Sequence, residues 1–355
     1  MGAGFFGATC ARQLSDAGLK VLVLEKKTRV GGHAATETRH GIITHLYGPH
    51  LWHCSDPKLW KFITRFGQFN HYQHRVKALN EVIYSLPFNM QTFHQLWGCV
   101  YPEEAQQELE KRRVKINNPQ NCEEQALAMV GGEAYEKLIY GYTLKHWQKH
   151  PRDLPASIIK RLPIRFTYDD NYFDDPYQGV PVDGYTCLIE NMLDGIEVRL
   201  DEDFFWLSNW RNVAKKLIYT GPIDRFFDYK YGELEYIGLD FEHIHTKGNK
   251  LGIGQLNFPG LDVPHTRAIE HKHFQFKADL PDTIVSYERS IVWDHTQECY
   301  YPINTTENAA IYQKYRQKFD KISSIYGGGR NFEYKYLDMD NTVQSALQLS
   351  RRLTK

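Results

Sequence analysis

The most constraining stretch of this 355-residue chain lies at its start. Residues 2–7 read Gly2-Ala3-Gly4-Phe5-Phe6-Gly7, a G-x-G-x-x-G turn. Such a turn leads from a buried parallel strand into a helix, and its glycines let the backbone approach a pyrophosphate at the helix N-terminus. It commits the region to an α/β unit of Rossmann type. Only Met1 precedes it, so the first strand of that unit is missing from the sequence as read. The expectation is a start assigned within a longer reading frame, with apolar residues encoded upstream.

The residues after the turn narrow the ligand. A helix is expected from about Phe6 to Ala17, ending at Gly18, and then a short buried strand, Lys20–Glu25. Glu25 closes that strand at the spacing of about 20 residues where a carboxylate accepts a ribose hydroxyl. Arg29-Val30-Gly31-Gly32-His33-Ala34 comes next. This Gly-Gly pair resembles the second signature of FAD-binding proteins of the glutathione-reductase type. Two residues without side chains again admit a cofactor close to the backbone.

Composition removes several classes. The chain has 43 basic and 43 acidic residues, a balance that argues against general nucleic-acid binding. The run Lys111-Arg112-Arg113-Val114-Lys115 follows four glutamates and reads as one solvated helix face. Six scattered cysteines with no C-x-x-C pair fit reduced thiols and give no structural zinc site. No apolar run approaches the ~18 residues of a membrane span. His50-x-x-His53 has metal-like spacing but no evident third ligand, so no metal is assigned.

Further along, 103–113, 122–130 and 133–147 read as amphipathic helices, and 234–293 alternates as an antiparallel sheet would. Short strands are expected at Glu197–Leu200 and Lys216–Thr220, and helices at Tyr185–Leu193, Glu307–Phe319 and Asp340–Leu353. The fold class is α/β: a Rossmann-like FAD-binding domain with a helical insert and an antiparallel β-sheet domain. The expected division is 1–75, 195–232 and 320–355 for the cofactor, 95–160 for the helices, and 76–94, 161–194 and 233–319 for the sheet.

Several longer strings point to a family. They are Tyr47-Gly48-Pro49-His50, Ser85-Leu86-Pro87-Phe88-Asn89, Gly141-Tyr142-Thr143-Leu144-Lys145-His146-Trp147 and Leu154 to Phe166. Asp169-Asp170-Asn171-Tyr172-Phe173, Val263-Pro264-His265-Thr266-Arg267, Tyr300-Tyr301-Pro302-Ile303 and Tyr334 to Asp340 complete the set. In this order, and over essentially the whole chain, they resemble bacterial UDP-galactopyranose mutase. The resemblance implies an isomerase interconverting UDP-galactopyranose and UDP-galactofuranose. It implies reduced FAD, whose N5 attacks the anomeric carbon with UDP as leaving group. It also implies a homodimer in the bacterial cytoplasm that supplies galactofuranose for cell-wall and surface polysaccharides, without a nucleic-acid or membrane partner.

The same resemblance assigns residues. Arg161 and Arg267 supply charge to the diphosphate, a task suited to a planar guanidinium that stays protonated. Tyr172, Tyr301 and Tyr336 donate hydroxyls, with Tyr300 beside them. Tyr142 stacks on uracil, Trp147 lies at the sugar end, Asn257 lies beside the nucleotide, and His74 touches flavin or substrate. Gly2, Gly4, Phe5, Phe6, Gly7, Glu25, Lys26, Gly31, Gly32, His33, Gly221, Arg330 and Met339 hold the cofactor. His50 and His53 lie near the flavin ring, and Asp338 at the sugar or flavin edge. The sequence departs from the family pattern at His33 and His74, where Asn is common, at Gln148, where Gly is usual, and at Ile237, where Arg is usual. Two other readings stay open: an FAD oxidoreductase on the same scaffold, and a truncated, non-catalytic sugar-nucleotide binder.

Overall fold

The computed structural model describes residues 1–160, 162–207 and 209–354. The chain divides into two compact units. The first comprises Met1–Tyr72, Asp175–Tyr236 and His295–Lys355, the second Gln73–Asp174 and Ile237–Asp294.

In the first unit the glycine turn opens helix Phe5–Asp16. Its first two turns are buried, and Phe6 and Cys10 pack with Ala346 and Leu349 of the closing helix Met339–Leu353. Strand Leu22–Leu24 pairs in parallel with Glu197–Arg199, and Leu217–Tyr219 pairs in parallel with Ile325–Gly327. Residues 1 and 2 bond to both pairs: the Gly2 N–H donates to Leu24 O at 2.8 Å, and the Met1 amine to Ile218 O at 2.9 Å. The expected Rossmann-like order of turn, helix and strand is present, with the strand ending at Leu24, just before Glu25. Two antiparallel pairs were not anticipated: Thr36–Arg39 with Ile42–His45, and Trp52–Cys54 with Tyr177–Gly179.

Among the described residues the second unit holds six strands in the order Tyr236–Lys247, Asp282–Val292, Arg267–Glu270, Gln255–Asn257, Val76–Asn80 and Val82–Leu86. All neighbours are antiparallel except Gln255–Asn257 with Val76–Asn80. Helices Met90–Trp97, Pro102–Arg112 and Cys122–Tyr135 begin at Asn89, Tyr101 and Asn121. Asn89 and Asn121 cap with their side chains, and Pro102 occupies the first helical turn, where its missing N–H costs nothing. The third helix breaks at Gly131 (φ 78°, ψ 172°). A π-turn, Glu136–Tyr140, then feeds helix Gly141–Trp147.

The division differs from the three expected parts. Ala78 and Tyr84 of the β-hairpin share one core with Phe93, Leu109, Ala126 and Leu138 of the helices, so helical insert and sheet form a single unit. Residues 175–194 and 295–319, expected with the sheet, lie in the first unit. Helix Gly184–Met192 packs there on helix Phe5–Asp16, and helix Thr306–Phe319 on Ile223–Phe226. All six cysteines are free, and among the described residues no helix is long and apolar enough to cross a membrane.

Candidate functional site

Each unit carries its own group of expected site residues. In the first, a Cβ on Gly7 would overlap the Gly2 carbonyl oxygen, so the turn closes only over glycine. Helix Phe5–Asp16 starts with no side-chain cap and no acidic residue in its first turn. The positive end of its dipole is therefore open to an anion. Gly31 (φ 114°) donates its N–H to Ala3 O at 2.9 Å. A Cβ on Gly32 would come within 3.0 Å of Gly4 Cα. Two backbone segments without side chains thus face each other, forming a cradle that any Cβ would begin to fill.

Glu25 is buried beneath this cradle. Its Oε2 accepts the Ala3 N–H at 2.7 Å and its Oε1 the Lys27 N–H at 3.0 Å. Each oxygen keeps acceptor capacity for a ribose hydroxyl while the carboxylate stays fixed. These residues fit the adenosine-pyrophosphate part of a dinucleotide. Phe5 and Phe6 contribute backbone only, since both rings are buried. Phe5 lies against Trp52 and Tyr185, and Phe6 lies beneath Gly328, where a Cβ would overlap its ring. Gly221 follows strand Leu217–Tyr219 in the turn before Ile223–Phe226.

Two expected residues converge on a third, Arg330. Its guanidinium donates to Leu337 O at 2.8 Å and lies 5.6 Å and 4.8 Å from the ring centroids of Tyr301 and Tyr336, which stack on each other. Cation–π attraction and stacking hold both phenols in a common orientation. Asp338 and Met339 begin helix Met339–Leu353, and Asp338 forms no side-chain cap.

His33 stacks on Tyr300, with centroids 4.6 Å apart, and faces Glu298 at 3.7 Å. Lys26 and Lys27 reach the same carboxylate at 3.2 Å and 3.5 Å. Burial lowers the His33 pKa, and burial would raise that of Glu298. The His33 hydrogen bond and the two lysines outweigh it and hold Glu298 far below the usual carboxylate range. Nothing in the sequence had singled out Glu298. His50 Nδ1 lies 3.0 Å from Gly48 O, and His53 Nδ1 2.7 Å from Asp175 Oδ2. Burial pushes His50 well below its ordinary range and His45 to about 3, so both are neutral at pH 7. Among the described residues no three His, Cys, Asp or Glu side chains form a metal-binding group.

In the second unit, Tyr142 and Trp147 share helix Gly141–Trp147. The His146 ring lies between them, stacked on Tyr142 at 5.8 Å and edge-on to Trp147 at 5.3 Å. Gln148 ends that helix at φ 51°, a left-handed conformation that glycine adopts without strain. Its side chain compensates by donating to Lys145 O at 2.6 Å.

Asn257 and Arg267 are register partners on adjacent strands. Asn257 Oδ1 accepts from Gln255 at 2.8 Å. Arg267 donates Nε (2.8 Å) and Nη2 (2.7 Å) to Oε2 of Glu288, whose side chain is fully buried. Sequence reasoning missed Glu288. A signal was present: Ile284, Ser286, Glu288 and Ser290 alternate onto one buried strand face, and a lone carboxylate there requires a cation. His74 is buried against Tyr172 and Phe173, and its carbonyl accepts the Tyr172 N–H at 2.7 Å. Ile237, where the family usually has Arg, is a buried sheet residue opposite Val292. Arg161 lies outside the described residues.

Residues 137–336 match the family described as UDP-galactopyranose mutase, and residues 1–66 match an NAD(P)-binding Rossmann-like domain. The chain is similar to a probable UDP-galactopyranose mutase of Klebsiella pneumoniae, with 38% identity over 98% of this chain and 92% of the relative. It is also similar to a dTDP-fucopyranose mutase of Escherichia coli, with 36% identity over 100% of this chain and 97% of the relative. A crystal structure of reduced UDP-galactopyranose mutase shares the fold. Its TM-score is 0.78 at 16% identity, covering 99% of this chain and 94% of that one.

Proposed function

Because this chain belongs to the UDP-galactopyranose mutase family, we propose that it interconverts UDP-galactopyranose and UDP-galactofuranose with reduced FAD. When bound, reduced FAD supplies at N5 a nucleophile for the anomeric carbon, so the isomerisation leaves no net redox change. In this reading the glycine cradle and the open end of helix Phe5–Asp16 hold the cofactor pyrophosphate, and Glu25 takes the ribose. His50 and His53 are assigned to the flavin ring, and Asp338 to its edge. A homodimer in the bacterial cytoplasm, supplying galactofuranose for surface polysaccharides, belongs to the same proposal.

The observation that carries it is the Arg267–Glu288 pair. Departure of UDP adds a negative charge to a diphosphate that already carries two, and a pre-oriented guanidinium stabilises that charge without reorganising. Glu288 fixes two of the five N–H donors of Arg267, which sets the plane of the fork. Tyr301 and Tyr336, held by Arg330, and Tyr172, held beside His74, are assigned as hydroxyl donors to the phosphates. Tyr142 is assigned to uracil, Trp147 to the sugar and Asn257 to the nucleotide. Arg161 is assigned as the second diphosphate arginine.

The test is Arg267→Ala. The variant is expected to keep its yellow FAD and to lose about 10²–10³-fold in kcat. Substantial mutase activity would sink the diphosphate assignment. Because of the E. coli relative, the wild type is assayed with dTDP-fucopyranose in parallel. Faster turnover of that sugar would replace the substrate while keeping the chemistry.

A further inference from the structure

Lys145 lies on helix Gly141–Trp147, between Tyr142 and Trp147, yet its ammonium serves another element. It donates to four backbone carbonyls: Phe258 at 2.6 Å, Gly260 at 2.6 Å, Val263 at 2.8 Å and His265 at 2.9 Å. All four belong to the loop that joins Asn257, the last residue of one strand, to Arg267, the first of the next. An ammonium has three N–H groups, so at least one is shared between two carbonyls. Carbonyls turned inward from a loop need a donor, and four turned to one point need a cation there.

The same helix also presses on the loop sterically. A Cβ on Gly141 would overlap the Pro259 carbonyl oxygen and lie 3.2 Å from Leu261. Polar contacts from Lys145 and close packing at Gly141 therefore join helix to loop. Burial lowers Lys145 to about 8 while Asp262 pulls it back up, so at neutral pH the ammonium form predominates.

Resting on the reading that this unit binds the UDP moiety, we propose that Lys145 is a positioning residue. It locks the helix bearing Tyr142 and Trp147 to the loop that sets Asn257 and Arg267. The base-side and diphosphate-side contacts are thereby held at one fixed spacing. Severing the lock leaves each set of contacts intact but makes a ligand that needs both spend binding energy on aligning them. Affinity for UDP falls, and affinity for uridine, which lacks the diphosphate, does not.

The experiment titrates UDP and uridine into the FAD-loaded full chain. Lys145→Met removes the donors at similar volume. Lys145→Gln keeps two N–H groups and carries the same comparisons if the Met variant does not fold. The expected result is a rise in UDP Kd of about tenfold or more for Met and a smaller rise for Gln, with uridine within about twofold. In an Arg267→Ala background the Lys145→Met effect on UDP should shrink below about threefold, because residues acting through one another are not additive. Unchanged UDP affinity, equal weakening of UDP and uridine, or the same effect in both backgrounds would overturn the role. A wild type that binds no UDP would instead sink the substrate reading itself, and this role with it.

Discussion

Glu288→Gln isolates what the buried carboxylate does for Arg267. Glu288 accepts two charge-assisted bonds, at 2.8 Å and 2.7 Å, on a single oxygen. The Glu288 side chain is 0% exposed and that of Arg267 15%. Removing one partner of a fully buried pair costs about 3–5 kcal/mol. The arginine retains some water and the glutamine carbonyl can still accept one bond, so about 2–3 kcal/mol is the expected loss here. Thermal unfolding should move down by about 5 °C, with the fold preserved. The catalytic loss should be larger in proportion, since displacing a positioned group by about 1 Å can cost 10²-fold. We expect kcat/KM to fall by about 10²-fold while FAD content stays at the wild-type level, because Glu288 belongs to the other unit. The measurements are steady-state kinetics on the reduced enzyme, flavin absorbance per chain and a thermal melt. Wild-type kcat/KM would refute the reasoning, because Arg267 would then hold its orientation without Glu288. A gain in kcat/KM would refute it too, since Glu288 would be neutralising Arg267 rather than aiming it.

Two further outcomes concern the separate units. Gly7→Ala drives a Cβ into the Gly2 carbonyl, so the purified variant should carry less than about a tenth of the wild-type flavin. Full flavin occupancy by absorbance would contradict the cradle. Glu270 is fully buried and accepts backbone N–H groups from Lys250, Leu251 and Gly252 and the Thr283 hydroxyl. Burial would raise its pKa, but hydrogen bonds from His273, Thr283 and the backbone outweigh it and hold the carboxyl at about 2. The folded value lies below the ordinary 4.5, so its stabilisation is complete above that pH and is lost as the pH falls towards 2. Glu270→Gln should cost about 3 kcal/mol at pH 7 and flatten the acid melting profile in that window. An unchanged acid profile would count against it.

What could be read from the sequence was local. The Gly2–Gly7 turn, Glu25 at the end of its strand and the Gly31-Gly32 pair each carry their geometry in their residue types, and the structure assembles them as one cradle. The helices that were expected were legible within a residue or two because their periodicity and caps are local, although helices Pro57–Ile63 and Met90–Trp97, the break at Gly131 and the π-turn after it were not anticipated. What stayed hidden depends on partners distant in sequence. Glu288 meets Arg267 across two strands, Glu298 gathers Lys26, Lys27 and His33 from the other end of the chain, and Lys145 reaches a loop more than a hundred residues away. The alternation around Glu288 marks its strand face as buried, but only the partner explains a lone charge there. Gln148 shows the converse. The glycine usual there in the family has a conformational reason, visible once the helix is seen to end in the left-handed region.

The most direct measurement is the fate of UDP-galactopyranose incubated with the FAD-loaded chain, with and without dithionite, and resolved by anion-exchange chromatography. UDP-galactofuranose is expected in the reduced sample alone, at an equilibrium reached from either isomer and with no net oxidation of sugar. Stoichiometric oxidation of the sugar, or no conversion by a reduced enzyme that demonstrably binds FAD and UDP, would contradict it.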